Sequence, residues 1–231
     1  MRLIRHLLAG AAVAAGLGVL PVPGPAATAQ PCPDVEIVFA RGTAEPPGLG
    51  GVGQAFVDAV RAGAADRTVA AYPVDYPASS DFADRIGFAL TVIDGIRDAA
   101  GRIQDVAARC PDTRIVLGGF SQGAAVAGFT TADTIPAGVP PEAVPPPMPA
   151  EVADHVAAVV LFGAPSVTFL TQFGAPPIRI GARYADKTVE LCAPGDTVCD
   201  GQPPSPNIAH ALYPVNGMVD QGAAYVLDRL A

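Results

Sequence analysis

Arg114-Ile115-Val116-Leu117-Gly118-Gly119-Phe120-Ser121-Gln122-Gly123-Ala124-Ala125-Val126-Ala127-Gly128 is a short apolar run that feeds a Gly-x-Ser-x-Gly pentapeptide, with small residues at helical spacing behind it. That order predicts a strand, a sharp turn and a helix, with the Ser121 hydroxyl held above the end of a parallel sheet. The flanking glycines fit such a turn, because two backbones meet closely there and a Cβ at Gly119 or Gly123 would collide with neighbouring chain. The helix that begins at Gln122 would turn its free N–H groups and positive dipole end toward whatever the serine attacks.

Outward from this stretch the chain alternates strands and helices. Val35–Ala40, Val69–Val74, Val156–Phe162 and Thr188–Leu191 read as further short strands, beside Arg114–Leu117. Leu49–Ala64, a long stretch from about Asp81 to Ala108, Gln122 to about Thr131 and Gly217–Leu230 read as helices. In the long one, Ile86, Leu90, Ile93 and Ile96 are spaced for one buried face. Continuous apolar strands alternating with helices predict an α/β fold whose parallel sheet is covered on both faces. The length of 231 residues suits one such domain and is short for two. Residues 133–150 hold seven prolines, which exclude a regular helix or a central strand and predict a stiff surface excursion. No internal repeat is present.

Arg2 and Arg5 precede the apolar run Leu7–Leu20, and Ala27-Thr28-Ala29 offers small residues for cleavage. Residues 1–29 therefore read as a secretory signal, leaving 30–231 as a single domain. Pro21, Pro23 and Pro25 interrupt the run and argue against an uncleaved anchor. Removing the two arginines leaves 12 basic side chains against 22 acidic ones, a net charge of −10. Such a chain has no means of gripping nucleic-acid phosphates, nor a basic stripe for anionic lipid. A soluble, secreted monomer is expected, extracellular or retained at the cell envelope. Export makes the four cysteines disulfide candidates, with three pairings open. A local Cys192–Cys199 bridge would clamp a turn and leave Cys32 for Cys110. Zinc is disfavoured by the lack of Cys-x-x-Cys and of clustered histidines, and no cofactor is called for.

A serine hydroxyl needs a base, and the base needs a group that fixes its tautomer. Of the two histidines beyond the signal, His155 lies just before a strand and reads as a helix-end or surface residue, while His210 sits in an irregular segment ahead of the final helix. His210 is favoured by elimination. In the chain order of α/β-hydrolases the acid falls between serine and histidine, which admits Asp186, Asp196 and Asp200. Asp196 would be held inside the Cys192–Cys199 turn, but Pro-Gly-Asp is also common turn chemistry, and the residues alone leave the two readings even.

Gly119-Phe120-Ser121-Gln122-Gly123-Ala124, Cys192-Ala193-Pro194-Gly195-Asp196-Thr197-Val198-Cys199, His210-Ala211-Leu212-Tyr213 and Phe39-Ala40-Arg41-Gly42-Thr43 together resemble the cutinase family, over about Cys32 to Leu230. The resemblance implies a three-layer α/β/α sandwich with a central, mostly parallel five-stranded sheet. It implies Ser121 as nucleophile, His210 as base and Asp196 as its partner, with Cys32–Cys110 and Cys192–Cys199 as the bridges. The N–H groups of Gln122 and Thr43 would form the oxyanion hole. Fungal members carry Ser where this chain has Thr43 and frequently Tyr at Phe120, neither of which threatens the mechanism. The expectation is a serine esterase for short to medium acyl chains, active on small or lipid esters and in transient contact with lipid or the cell envelope. Activity is expected to fall as pH drops through about 6–7. An apolar pocket is expected around Ile208, Ala211 and Leu212, with Tyr76–Phe82 as its facing wall. A thioesterase or acyltransferase, a phospholipase, and a non-catalytic envelope-binding protein are the alternatives.

Overall fold

In the computed structural model, which describes residues 31–203 and 208–231, five strands form one sheet. They are β1 (Val35–Ala40), β2 (Val69–Pro73), β3 (Arg114–Phe120), β4 (Val156–Phe162) and β5 (Thr188–Leu191). Their order is β2-β1-β3-β4-β5, and every pairing is parallel. The expected signal segment, residues 1–29, lies outside the described residues.

Both faces of the sheet are covered, as the unbroken apolar strands require. On one face α1 (Gly50–Gly63) and α5 (Met218–Leu230) bury Phe56, Val60, Val219 and Val226 against Ile37, Phe39 and Phe162. The Phe56 and Phe162 rings meet edge-on at 5.3 Å between centroids. On the other face α2 (Arg85–Arg109) and α3 (Gln122–Thr130) pack Ile103, Val106 and Val126 against Val38, Leu117 and Leu161. The three-layer sandwich is therefore present, with β1, β3 and β4 at its centre. The cysteines pair as Cys32–Cys110, across 78 residues, and Cys192–Cys199, across seven.

One expectation is corrected. The start of α2 is capped by Asp84, whose carboxylate accepts the Gly87 N–H at 2.9 Å, but the apolar stripe of its first half is not buried. Ile86 is 77% exposed and Leu90 50%, and with Ile93 they line a cavity, while Ile96 borders that cavity and also packs on the core. Helical periodicity identifies the apolar face of a helix and says nothing of what lies opposite. The proline-rich stretch holds no α-helix or strand and lies at the surface as expected, and its Ile135, Val139, Val144 and Pro145 also line that cavity. The short helix α4 (Val167–Gln172), capped by Ser166, was not expected and adds Phe169 and Leu170 to the same wall.

Candidate active site

β3 runs two residues into the pentapeptide and ends at Phe120, so that Ser121 is the corner between β3 and α3. Its φ of 56° and ψ of −118° are rare for a residue with a Cβ, and such strain persists only where the surroundings fix it. Here the Ser121 N–H donates to the Phe162 carbonyl at 2.9 Å, tying the corner to the end of β4. A Cβ at Gly119 would overlap the Gly123 carbonyl, and one at Gly123 would overlap the carbonyls of Ala40 and Arg41. Glycine at both positions lets β1, β3 and α3 converge under the serine.

Ser121, His210 and Asp196 lie in one hydrogen-bonded line. The Ser121 hydroxyl meets His210 Nε2 at 2.8 Å, and His210 Nδ1 meets Asp196 Oδ2 at 2.8 Å. His210 sits in a single 3-10 turn (Ala209–Ala211), and its ring stacks on Phe120 with centroids 4.8 Å apart. Asp196 has no exposed surface. Its Oδ1 accepts the Val198 N–H at 3.0 Å, within the loop that Cys192–Cys199 closes. Burial alone would raise its pKa, but the donors from His210, Tyr213 and Val198 hold it below the usual carboxylate value. The carboxylate can thus orient the imidazole and stabilise its protonated form.

Tyr213 was not singled out by sequence reasoning. Its buried hydroxyl donates to Asp196 Oδ2 at 2.8 Å and accepts the Ala193 N–H at 3.0 Å, so it joins the acid to the disulfide loop. Burial keeps this phenol protonated far above the ordinary range. Its one sequence signal was its place in the His210-Ala211-Leu212-Tyr213 stretch that carries the family resemblance. Gly163, with φ of 56°, lies beneath all three groups, and a Cβ there would stand 3.1 Å from His210 Cε1 and 3.2 Å from Asp196 Oδ2.

Gln122 supplies the first amide of α3, one of those a helix leaves without an intrahelical carbonyl. Its side-chain Nε2 donates to the Ser79 carbonyl at 3.2 Å. Thr43 lines the same cavity as Ser121 and Gln122. The loop that carries Thr43 is organised by the buried Arg41, whose guanidinium donates to the carbonyls of Glu45, Val74 and Tyr76. The Glu45 carboxylate accepts the N–H groups of Gly42 and Gly51 in return.

The remaining candidates fall elsewhere. Asp186 lies in a 3-10 turn before β5, and the Asp200 carboxylate accepts the Gln202 N–H. His155 ends another such turn, with Nδ1 at 3.1 Å from the Pro111 carbonyl. Among the described residues no group of three or more His, Cys, Asp or Glu could hold a metal ion, and no helix is long and apolar enough to cross a membrane. The expected pocket is also displaced. Ile208 and Leu212 are exposed, no residue of 208–213 lines the cavity, and of Tyr76–Phe82 only Phe82 does. The cavity, of about 640 Å³, opens instead on the α2 side of Ser121.

A family model described as Cutinase matches residues 31–230. The probable carboxylesterase Culp7 of Mycobacterium tuberculosis is 59% identical over 165 residues, covering 71% of this chain and 86% of that protein. Phospholipase Culp4 of the same organism is 42% identical over 230 residues, covering 99% and 92%. Among solved structures, Trichoderma reesei cutinase in complex with a phosphonate inhibitor shares 30% identity at a TM-score of 0.62, over 87% of this chain and 78% of that one.

Proposed function

This chain belongs to the cutinase family and is a carboxylic ester hydrolase, and from that premise we propose that it works through an acyl-enzyme formed on Ser121. The supporting observation is the line of two 2.8 Å contacts from Ser121 through His210 to Asp196. The Ser121 oxygen bonds to the ester carbonyl carbon while its proton passes to His210 Nε2. The carbonyl oxygen becomes an alkoxide facing the N–H groups of Gln122 and Thr43, where each such donor stabilises the developing charge by roughly 3–4 kcal/mol. The carbon–oxygen bond to the alcohol then breaks, and His210 returns the proton to the departing oxygen. Water repeats the sequence, with His210 again as base, to release the acid and regenerate Ser121.

The reading includes short to medium acyl chains, action on lipid esters, export after removal of residues 1–29 and transient contact with lipid or the cell envelope. A phospholipase reading is favoured by one observation, the 42% identity to Phospholipase Culp4 across nearly the whole chain. The test is reaction with p-nitrophenyl alkylphosphonates followed by peptide mass analysis. Wild type should carry the adduct on Ser121, and Ser121→Ala should lose at least about 10⁴-fold in kcat on p-nitrophenyl butanoate. An unlabelled wild type, or turnover retained by Ser121→Ala, would refute the mechanism.

A further inference from the structure

The segment Tyr76–Ser79 does not line the cavity, yet it is bonded to the loop of Thr43 and to Gln122 alike. At one end the buried Tyr76 hydroxyl donates to the Arg41 carbonyl. The N–H of that same peptide, carried by Gly42, donates to the Glu45 carboxylate. A planar peptide gripped at both its oxygen and its hydrogen has no freedom to turn, and Thr43 follows it directly. The Ala78 carbonyl accepts the Ala44 N–H at 2.8 Å and so fixes the far side of Thr43. At the other end the Ser79 carbonyl accepts Gln122 Nε2 at 3.2 Å.

Stability alone explains neither of two features in this arrangement. Ala44 and Ala78 both take left-handed backbone, with φ of 59° and 50°. The bond between them thus joins two strained alanines, and such strain persists only where the surroundings over-determine it. Gln122 is buried, and its Oε1 has no hydrogen-bond partner among the described residues. A leucine would fill that place without a stranded acceptor. What the amide offers in exchange is the bond from Nε2 to Ser79.

We infer that Tyr76–Ser79 is a template that sets the spacing between the Thr43 and Gln122 amides, with the Tyr76 hydroxyl and the Gln122 side chain as its positioning groups. This rests on the acyl-enzyme reading, in which those two amides receive the alkoxide. The connection runs from Gln122 through its own side chain to Ser79, along the chain to Ala78, and across to Ala44 beside Thr43. The side chain of the residue that carries one donor thereby determines where the other donor stands. The alkoxide forms only as the carbonyl carbon becomes tetrahedral. An error in spacing therefore weakens the transition state more than the bound ester.

The experiment measures kcat, KM and Tm for wild type, Tyr76→Phe and Gln122→Leu on p-nitrophenyl butanoate and on its thionoester counterpart. In the thionoester a sulfur replaces the carbonyl oxygen, a larger and weaker acceptor that donors spaced for oxygen disfavour. Both variants keep every backbone N–H. Each should lose about tenfold in kcat on the ester with KM within about twofold, and at least about threefold of the preference for ester over thionoester. Gln122→Leu should do so with Tm held or raised, because the stranded acceptor is gone. If Tyr76→Phe does not fold, Gln122→Leu decides. Either folded variant with wild-type kcat and preference, a loss carried by KM, or a Gln122→Leu that loses its fold along with its activity would overturn the template and leave the esterase standing. A wild-type Ser121 that p-nitrophenyl butylphosphonate does not label would overturn both.

Discussion

Asp196 is a carboxylate without exposed surface, and burial alone would push its proton affinity up. Three donors reverse that, one of them the Tyr213 hydroxyl. A carboxylate whose folded pKa is depressed stabilises the fold fully above its unfolded value, about 3.9, and that contribution is lost as pH falls through the lower folded value. Acid unfolding should therefore draw on Asp196 only below about pH 4. Tyr213→Phe removes one donor, raises the Asp196 pKa and moves this loss to higher pH. It also strands the buried Ala193 N–H, so stability at pH 7 should fall by about 1–3 kcal/mol. Activity should fall roughly tenfold, one charge-assisted hydrogen bond's worth of orientation. Urea unfolding between pH 3 and 7 reads the first two effects, and an unchanged acid limb would refute the role of Tyr213. Sequence reasoning reached Ser121 from its neighbours and His210 by elimination, because serine at a strand–helix corner and a scarcity of histidines are both visible in the chain. Asp196 needed the family resemblance. Tyr213 was missed because a tyrosine whose body packs in the core and whose hydroxyl serves the site has no pattern of its own.

At the scale of elements, the loop after β1 shows how a positively charged side chain can organise backbone. Arg41 spans three carbonyls from two loops, Glu45 on its own and Val74 and Tyr76 on the other, and its guanidinium lies 5.0 Å from the Tyr76 ring centroid. A lysine offers no planar fork for three separate acceptors. Arg41→Lys should leave the Thr43 amide poorly placed for the alkoxide, lowering kcat by about 10-fold to 100-fold with little change in KM, less than outright loss of a donor. Equal change in KM and kcat across ester lengths would count against a positioning role. The strands and helices were legible here, since a parallel sheet buried on both faces writes itself as apolar runs. What faced the first half of α2 was not legible. A stripe of Ile and Leu is written the same way whether it meets core or a void.

At the scale of the whole molecule, the two disulfides act on different properties. Cys32–Cys110 closes 78 residues and joins the entry of β1 to the end of α2, far from Ser121 in the fold. By chain entropy its loss should cost about 4.5 kcal/mol, a fall in Tm of roughly 9–18 °C for a domain of this size. The catalytic constant at 25 °C should not change. Cys192–Cys199 closes only seven residues and should contribute about 2.5 kcal/mol, yet it holds the loop of Asp196. Its double Ser variant should lose at least about tenfold in kcat while still folded. Thermal unfolding and kcat measured on both double variants separate these effects, and an equal loss of kcat in both would refute the distinction.

The proline-rich strap has a further consequence, in the accounting of backbone donors. A loop that walls an apolar cavity ordinarily turns some N–H groups toward a space where water cannot satisfy them. Five of the strap residues that border this cavity are Pro136, Pro140, Pro145, Pro146 and Pro147, whose peptide nitrogens carry no hydrogen. The strap therefore brings fewer N–H groups to the cavity wall, and it offers few donors through which a second strand could add to it. A wall of ordinary residues in the same irregular path would have to be wetted, or be converted into regular structure, before it could serve.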